Sequence, residues 1–513
     1  MDNILLNSLV NDKQEMINIS SMTGRKDINN NYTFSQEISN ISSIENFKAI
    51  SLPYFSTGVG GYDSTADIDS VMAPYENVVD WENVTSLRWC CTGMQRIQNL
   101  GTILSNINFP KLKDLRGTFQ WCYRLKDISP LERWITNNVT DMSFLFAGDR
   151  NITSFEPIAN WNTTLVTDFS ETFNGANFGG NLQVIANWSV NNATNMCNML
   201  RGANITDVNP ISHWNINNVV DMYGLFAGCG QLTNIDGLAN WNTNKVENLS
   251  YAFYSCRNLS NVDVLSSLNF SNIKNTFSMF EATNHLINID SVKNWNLKNV
   301  QDVSGMFSWM VNLTDVNLSG LNIHKAEALT DMFAYDWNLV NINCANWNIN
   351  NVRSLHNMFS GCDNLATIDF TNWNTAKITS FSYMFNDCVS FNNFNLVANW
   401  NMSNATSISG MFNNCRNLSN ITGLSKWNVS NVIYLWDIFG YCNNLTNNDL
   451  VEIAKMCVNI NTNHPIEEGY VKPTYNLNPS HQMSPLYRSN KQINVATVGQ
   501  DLIDQLTAKG WTF

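Results

Sequence analysis

The chain has 513 residues, 44% of them hydrophobic and 14% charged, with a formal net charge of −13. That acidic balance excludes a nucleic-acid surface, which needs clustered Lys and Arg to displace counterions. An aromatic content of 12% also excludes a disordered polar tract, although Asn makes up about one residue in six.

The opening, "MDNILLNSLVNDKQEM", carries an acidic second residue and no basic flank, so no secretory signal is expected. Residues 1–78 lack any period and read as an N-terminal cap or docking segment. Within them "FKAISLPYFSTGVGGYD" (47–63) suggests a strand and a Gly turn. Its "GVGG" is not followed by GK[ST], which argues against a phosphate loop. No stretch of 18 apolar residues occurs, so no transmembrane helix is expected.

From about residue 79 to 448 one pattern recurs, in about fourteen coils of 26 or 27 residues. A leading Trp stands at 134, 161, 188, 214, 241, 295, 347, 373, 400 and 427, with Leu268 and Leu321 filling two slots. Weaker copies begin near Val79 and Ile107. Five positions on lies a small or β-branched residue, as at Val139, Val219 and Val432. Twelve on lies Phe, as at Phe146, Phe280, Phe359 and Phe412, and fifteen on is often Cys, as at Cys256, Cys362 and Cys442. A coil cannot bury its apolar face alone, so like side chains stack on those of adjacent coils. The columns predict a Phe spine with small thiols filling the gaps beside it. Asn after the leading Trp (Asn162, Asn242, Asn374) predicts an amide ladder. The twelve cysteines contain no C-x-x-C pair and are expected to be buried thiols rather than ligands or disulfides.

Within a coil, "NLATIDFTNW" alternates like a short parallel strand. The "VTDMSFLF" segment has apolar residues at helical spacing, which predicts one helical or 3-10 turn. Pro is absent between Pro210 and Pro465, as an unbroken backbone ladder requires.

At these residues the chain resembles the BspA-type leucine-rich repeat proteins, whose signature is W-[DN]-T-S-x-V-T-x-M-x-x-M-F-x-x-C-x-x-L-x-x-[IL]. "WNMSNATSISGMFNNCRNLSNI" (400–421) and "WNINNVRSLHNMFSGCDNLATI" (347–368) carry the match, and the resemblance covers about 70% of the chain. Leu200 and Cys91 replace the spine Phe, and Asp149 and Thr283 replace the Cys. The resemblance implies a leucine-rich-repeat-like solenoid and a binding scaffold without enzymatic activity. Members occur as surface adhesins and in bacteriophage structural proteins.

Residues 449–513 read as a C-terminal helical cap with a Pro/Asn-rich loop over 461–495. In "LTNNDLVEIAKMCVNI", Leu450, Ile453, Ala454, Cys457 and Val458 share a helix face capped by Thr446 or Asn448. A final helix ends at Lys509 and Gly510, and this helix-then-"GW" ending resembles the end caps of repeat proteins in phage structural modules.

The six histidines fall in different phases of the repeat, and no H-E-x-x-H, G-x-S-x-G or EF-hand loop occurs. Asp141, Asp221, Asp302 and Asp331 precede the expected helical turn and are read as its caps. No catalytic, cofactor-binding or metal-ligating residue is expected. The candidate contact residues are Trp309, Trp337 and Trp436, which lie off the Trp column, and His356, which belongs to no column. The first functional expectation is a virion structural protein of a phage tail or fibre. Its partners would be other virion or surface proteins met through the terminal caps, and a host-surface protein or glycan. A bacterial cell-surface adhesin is the alternative, and a polysaccharide-degrading enzyme the third.

Overall fold

The computed structural model describes Asp69 and residues 81–95, 97–462 and 475–513. Apart from Asp69, the expected N-terminal cap over 1–78 lies outside the described residues, as does the middle of the 461–495 loop. The chain forms two compact units, Met1–Ala193 and Thr194–Phe513. Each is a stack of coils built on the same columns.

In the first unit Phe119, Phe146 and Phe173 stack at centroid spacings of 5.8 and 6.0 Å. In the second, Phe226 to Phe439 form a continuous spine, with Phe333, Phe359 and Phe385 spaced 5.7 and 5.8 Å apart and within 9° of parallel. The rings are fully buried, so each covers both faces of its neighbours. The leading Trp residues form a second column, with Trp134 and Trp161 stacked at 6.3 Å and Trp373 and Trp400 also at 6.3 Å. Their indole N–H groups donate to carbonyls of the preceding coil, as Trp161 does to Leu131 (3.0 Å) and Trp373 to Cys344 (2.8 Å). Thiols complete the core. Cys256, Cys362, Cys388 and Cys415 each donate from Sγ to the carbonyl of the preceding spine Phe at 3.0–3.1 Å. Thr283 makes the same bond to Phe253 through its hydroxyl (2.9 Å). Among the described residues no cysteine is in a disulfide.

The "VTDMSFLF" segment and its counterparts are not helical. Counted from the leading residue, position 7 forms a parallel bridge with position 7 of the next coil, as Asp141 does with Asp168 and Ser354 with Ser380. From position 8 the backbone then runs through linked β-turns. Leu355, Asn357, Phe359 and Gly361 donate N–H to the next coil at 2.7–3.0 Å. Met358, Ser360 and Cys362 between them donate three residues back within their own coil. A chain of inward-pointing corners repeats apolar residues at three- and four-residue steps, the same spacing that marks a helix face. The inter-coil bonds win because they satisfy backbone groups along an entire coil edge.

Three strands, β1 (Asp315–Asn317), β2 (Asn341–Asn343) and β3 (Thr367–Asp369), pair in parallel in that order. They occupy the segment read as a strand in "NLATIDFTNW". In other coils the same segment is a 3-10 turn, as at Ser129–Arg133, Asp236–Asn240 and Asp290–Asn294. The strands occur in the run of coils spaced 26 residues apart between Trp295 and Trp373, and the 3-10 turns mostly in 27-residue coils. One added residue is taken up by tightening an extended segment into a turn. Pro130, Pro157 and Pro210 sit at the starts of such turns, where no N–H is missed.

The Asn excess is consumed at the coil corners. The Asn after the leading Trp does not bond its own column. Its Oδ1 accepts the N–H two residues on, and its amide reaches an Asn two positions further along the preceding coil, as Asn242 does to Asn217 (2.7 Å) and Asn374 to Asn350 (2.8 Å). Asn351, Asn404 and Asn431 donate to backbone carbonyls of the coil below at 2.6–2.7 Å.

Of the helices, α1 (Ile103–Asn106) receives the carboxylate of Asp69 on the N–H of Thr102 and Ile103. α2 (Asn447–Val458) is capped by Thr446 in a reciprocal box with Asp449, and buries Leu450, Ile453, Ala454, Met456 and Cys457. Val458, expected on the same face, is half-buried. α3 (Val495–Val498) leads into α4 (Gln500–Ala508), after which Gly510 takes φ 85° and Trp511 is buried with its N–H on the Cys457 carbonyl (3.2 Å). Ser484 and Pro485 accept the N–H of Asp437 and Phe439 (both 2.8 Å), taking the place of a further coil at the end of the ladder.

Candidate interaction face

The β-turn chain places two positions of every coil, 10 and 14, in the left-handed region. Glycine fills many of them, as at Gly117 (φ 59°), Gly202 (64°) and Gly361 (75°). Others hold bulky side chains at the same angles, including Trp89 (57°), Trp121 (63°), Tyr251 (58°), Trp309 (60°), Tyr335 (66°) and Tyr383 (56°). An L-residue there costs about 1–2 kcal/mol. Several bulky residues are set against glycine in the next coil. A Cβ on Gly117 would lie 1.9 Å from the Trp89 ring, one on Gly361 2.7 Å from Tyr335, and one on Gly410 2.2 Å from Tyr383.

A double-mutant cycle checks this pairing. Gly410→Ala is expected to destabilise by more than the ~1–2 kcal/mol of left-handed backbone strain, because the methyl meets Tyr383. Adding Tyr383→Ala should remove the excess, so that the two changes are non-additive in urea unfolding.

These turns build the face on which the sequence-derived candidates lie. Trp309 and Trp337 come together: Trp309 stacks on Tyr335 at 4.4 Å and meets Trp337 edge-on at 5.9 Å and 71°. Trp309, Tyr335 and Trp337 remain 39%, 37% and 46% exposed, so the cluster is a surface feature and not core. Trp436 and His356 stand apart from it. Trp436 is half-buried against Tyr434 (5.2 Å), and His356 is edge-on to Tyr383 (5.9 Å) with its backbone N–H on Ser354 Oγ (3.2 Å). Sequence reasoning missed Tyr335, and in the first unit Trp121 and Tyr123, which occupy the same two positions of their coil and are 49% and 43% exposed. Their phase, 14 and 16 after the leading residue, was the available signal.

Beyond Trp337 the face turns polar. Asn364 N–H donates to the Trp337 carbonyl (3.3 Å), which makes Asp363 and Asn364 the next rung. Asn386 then bonds Ser360 (3.1 Å) and Asp387 (2.7 Å), and Asn413 bonds Asn386 (2.7 Å). Asn413 Oδ1 and Asp437 Oδ1 are buried acceptors with no hydrogen-bond partner. Burial pushes Asp437 up to about 6, although Arg488 opposes the shift.

The groups with reactive chemistry are engaged in structure. Burial pushes Cys229 up to about 12 and Cys256, Cys362, Cys388 and Cys415 well above the ordinary thiol range, so the column stays protonated and donates hydrogen bonds. Asp141, Asp221 and Asp302 accept the N–H two residues on at 2.8–2.9 Å. They close Asx turns rather than cap a helix, because no helix follows. Asp331 lies in the left-handed column at φ 55°. Among the described residues no group of three or more His, Cys, Asp or Glu could hold a metal ion, and no helix is long and apolar enough to cross a membrane.

The family described as "Mycoplasma protein of unknown function, DUF285" matches overlapping stretches 85–205, 113–234, 177–288, 220–343, 258–367 and 327–452. No curated protein matches. Similar solved structures include a leucine-rich repeat protein from Bacteroides ovatus (TM-score 0.36, 13% identity, 66% of this chain and 76% of that one). Another is a leucine-rich repeat protein from Eubacterium ventriosum (TM-score 0.33, 14% identity, 67% and 77%). A third is a leucine rich cell surface protein from Faecalibacterium prausnitzii (TM-score 0.26, 16% identity, 73% and 86%). The matches overlap and together run from residue 85 to 452, across stacked coils of both units. The chain belongs to the DUF285 family, as a repeat solenoid of stacked 26- and 27-residue coils.

Proposed function

We propose that this chain is a non-enzymatic interaction scaffold that presents its turn face to a partner. The observation that carries the reading is a division of labour within the coil. Trp, Phe, Cys and corner Asn are used in holding coil to coil, while positions 14 and 16 vary from Gly through Asn, Asp and Arg to Tyr and Trp, and their side chains face solvent or half-face it. A scaffold of this kind recognises through its variable exposed positions. The partner is a surface protein or glycan and not nucleic acid, in keeping with the net charge of −13.

Placement on a phage virion, as a tail or fibre component, is one form of this reading, motivated by the C-terminal helical ending. The bacterial cell surface is the other, motivated by the resemblance to BspA-type adhesins. Mass spectrometry of purified virions and protease shaving of intact cells separate the two. For the scaffold itself, labelled full chain should bind intact bacterial cells saturably. Alanine changes on the turn face should weaken that binding, and changes at the Asn corners should not. Non-saturable binding indifferent to both sets would sink the scaffold.

A further inference from the structure

Trp309 and Tyr335 hold a conformation that glycine adopts freely, yet neither adds to the core. The same column position is Gly148, Gly175, Gly202, Gly228 and Gly361 in other coils, and those coils stack without an aromatic ring there. Backbone strain spent on side chains that stay more than a third exposed, at a position other coils fill with glycine, points to a use on the outer side. Within one coil the pairing recurs: Trp121 and Tyr123 of the first unit hold the positions that Tyr335 and Trp337 hold here, with Gly148 against Trp121.

The geometry fits one chemistry. Trp337 stands at 71° to Trp309, so the two rings make a corner, and Tyr335 stacks on Trp309 at 4.4 Å; all three remain more than a third exposed. Flat indole faces suit the C–H faces of a pyranose ring, which are apolar on one side and rimmed by hydroxyls. The adjoining rung supplies what hydroxyls need in the exposed Asp363 and Asn364, while on the coils beyond, Asn386, Asp387, Asn413 and Asn414 bond one another. A site of apolar faces with a few convergent amides and carboxylates is how small polar ligands are oriented. The carboxylates also decide the ligand's charge. Asp363 on the adjoining rung disfavours an acidic polymer; burial and then Asp387 hold its carboxyl above the usual range, with Arg416 opposing.

We propose that the Trp309–Tyr335–Trp337 corner is a binding site for the pyranose rings of a neutral glycan. This assignment deepens the scaffold reading and rests on it.

The test is calorimetric titration of the full chain with maltohexaose, cellohexaose, xylohexaose, mannohexaose and chitohexaose, with polygalacturonate as the charged control. Saturation-transfer NMR then shows which sugar protons face the rings. At least one neutral hexasaccharide is expected to bind, and polygalacturonate is not. W309A/W337A should weaken that binding by about tenfold or more, in a chain whose cooperative melting shows that it remains folded at the titration temperature. W436A, outside the corner, should leave it unaltered. Absence of binding by every neutral hexasaccharide overturns the proposal, as does binding that W309A/W337A leaves intact or that polygalacturonate matches. If no saccharide binds while the chain still binds intact cells saturably, the scaffold stands and its partner is a protein. If cell binding is absent too, both readings fall.

Discussion

Phe359→Ala is expected to destabilise the second unit by about 3–5 kcal/mol, the range for removing a buried Phe whose cavity cannot close. The size follows from where the ring sits. Phe359 is fully buried between Phe333 and Phe385, at 5.7 and 5.8 Å, with Phe370 at 6.2 Å on a third side. Its backbone is tied as well, since its N–H donates to Met384 and its carbonyl accepts from both Cys362 N–H and the Cys388 thiol. Collapse into the cavity would have to break those bonds. Because coils interact only with nearest neighbours, the loss should be felt locally first. Hydrogen exchange should show the amides of residues 329–390 opening faster than those of 219–280. Phe359→Leu, which keeps most of the volume, should cost less than half as much. Equal protection along the unit would show that the spine is not the local source of stability.

How far this architecture could be read beforehand depended on whether a column repeats a side chain or a backbone angle. Phe359, Cys362 and Trp347 repeat as residue types, because identical neighbours stack best on one another, so those columns stand out in the sequence. The left-handed positions repeat as an angle. Glycine meets it in Gly361, but Asn357, Tyr335 and Trp309 meet it too, at a cost offset by the inter-coil hydrogen bonds. No single residue type marks them, so the three- and four-residue apolar spacing of the β-turn chain reads as a helical turn. The same gap hid Tyr335, whose partnership with Trp309 depends on the stacking of adjacent coils. Coil length follows the difference between strands and 3-10 turns in most coils, but not in the 26-residue coil from Trp188, whose Asn209–Ile211 segment is a 3-10 turn with Pro210 near its start. The C-terminal helix was legible because its cap and its apolar face are both local in sequence.

The buried carboxyl of Asp149 should make the first unit lose stability as pH rises. Asp149 occupies the thiol column, where Cys122 donates to the Cys91 carbonyl at 3.2 Å and, in the second unit, Thr283 donates to Phe253. That position faces an acceptor, so it needs a donor. An ionised carboxylate has none, and both Asp149 oxygens are buried without a partner. Burial pushes the Asp149 carboxyl well above the ordinary range, with only a backbone contact from Cys122 opposing it. The neutral acid can supply the O–H that the thiol or hydroxyl supplies elsewhere. For an acid raised in the folded state, the associated stability is complete below the unfolded value, about 3.9, and is lost as pH rises through the folded value. Asp149→Asn keeps a donor and removes the ionisation, so its stability should exceed that of the native chain by about 1–3 kcal/mol at the alkaline end. The difference should shrink towards acid, which urea unfolding between about pH 5.5 and 8.5 reads out while keeping clear of the isoelectric point near 4.9. Asp149→Cys, which restores the column's usual residue, should behave in the same way. Asp336 offers an internal comparison in the second unit. It is equally buried and raised by burial, but one of its oxygens accepts the Met310 N–H at 2.7 Å. Asp336→Cys forfeits that bond and should gain less than Asp149→Cys. Parallel pH profiles for native chain and Asp149→Asn would mean that the carboxyl finds a partner in its charged form, and that the column tolerates an anion.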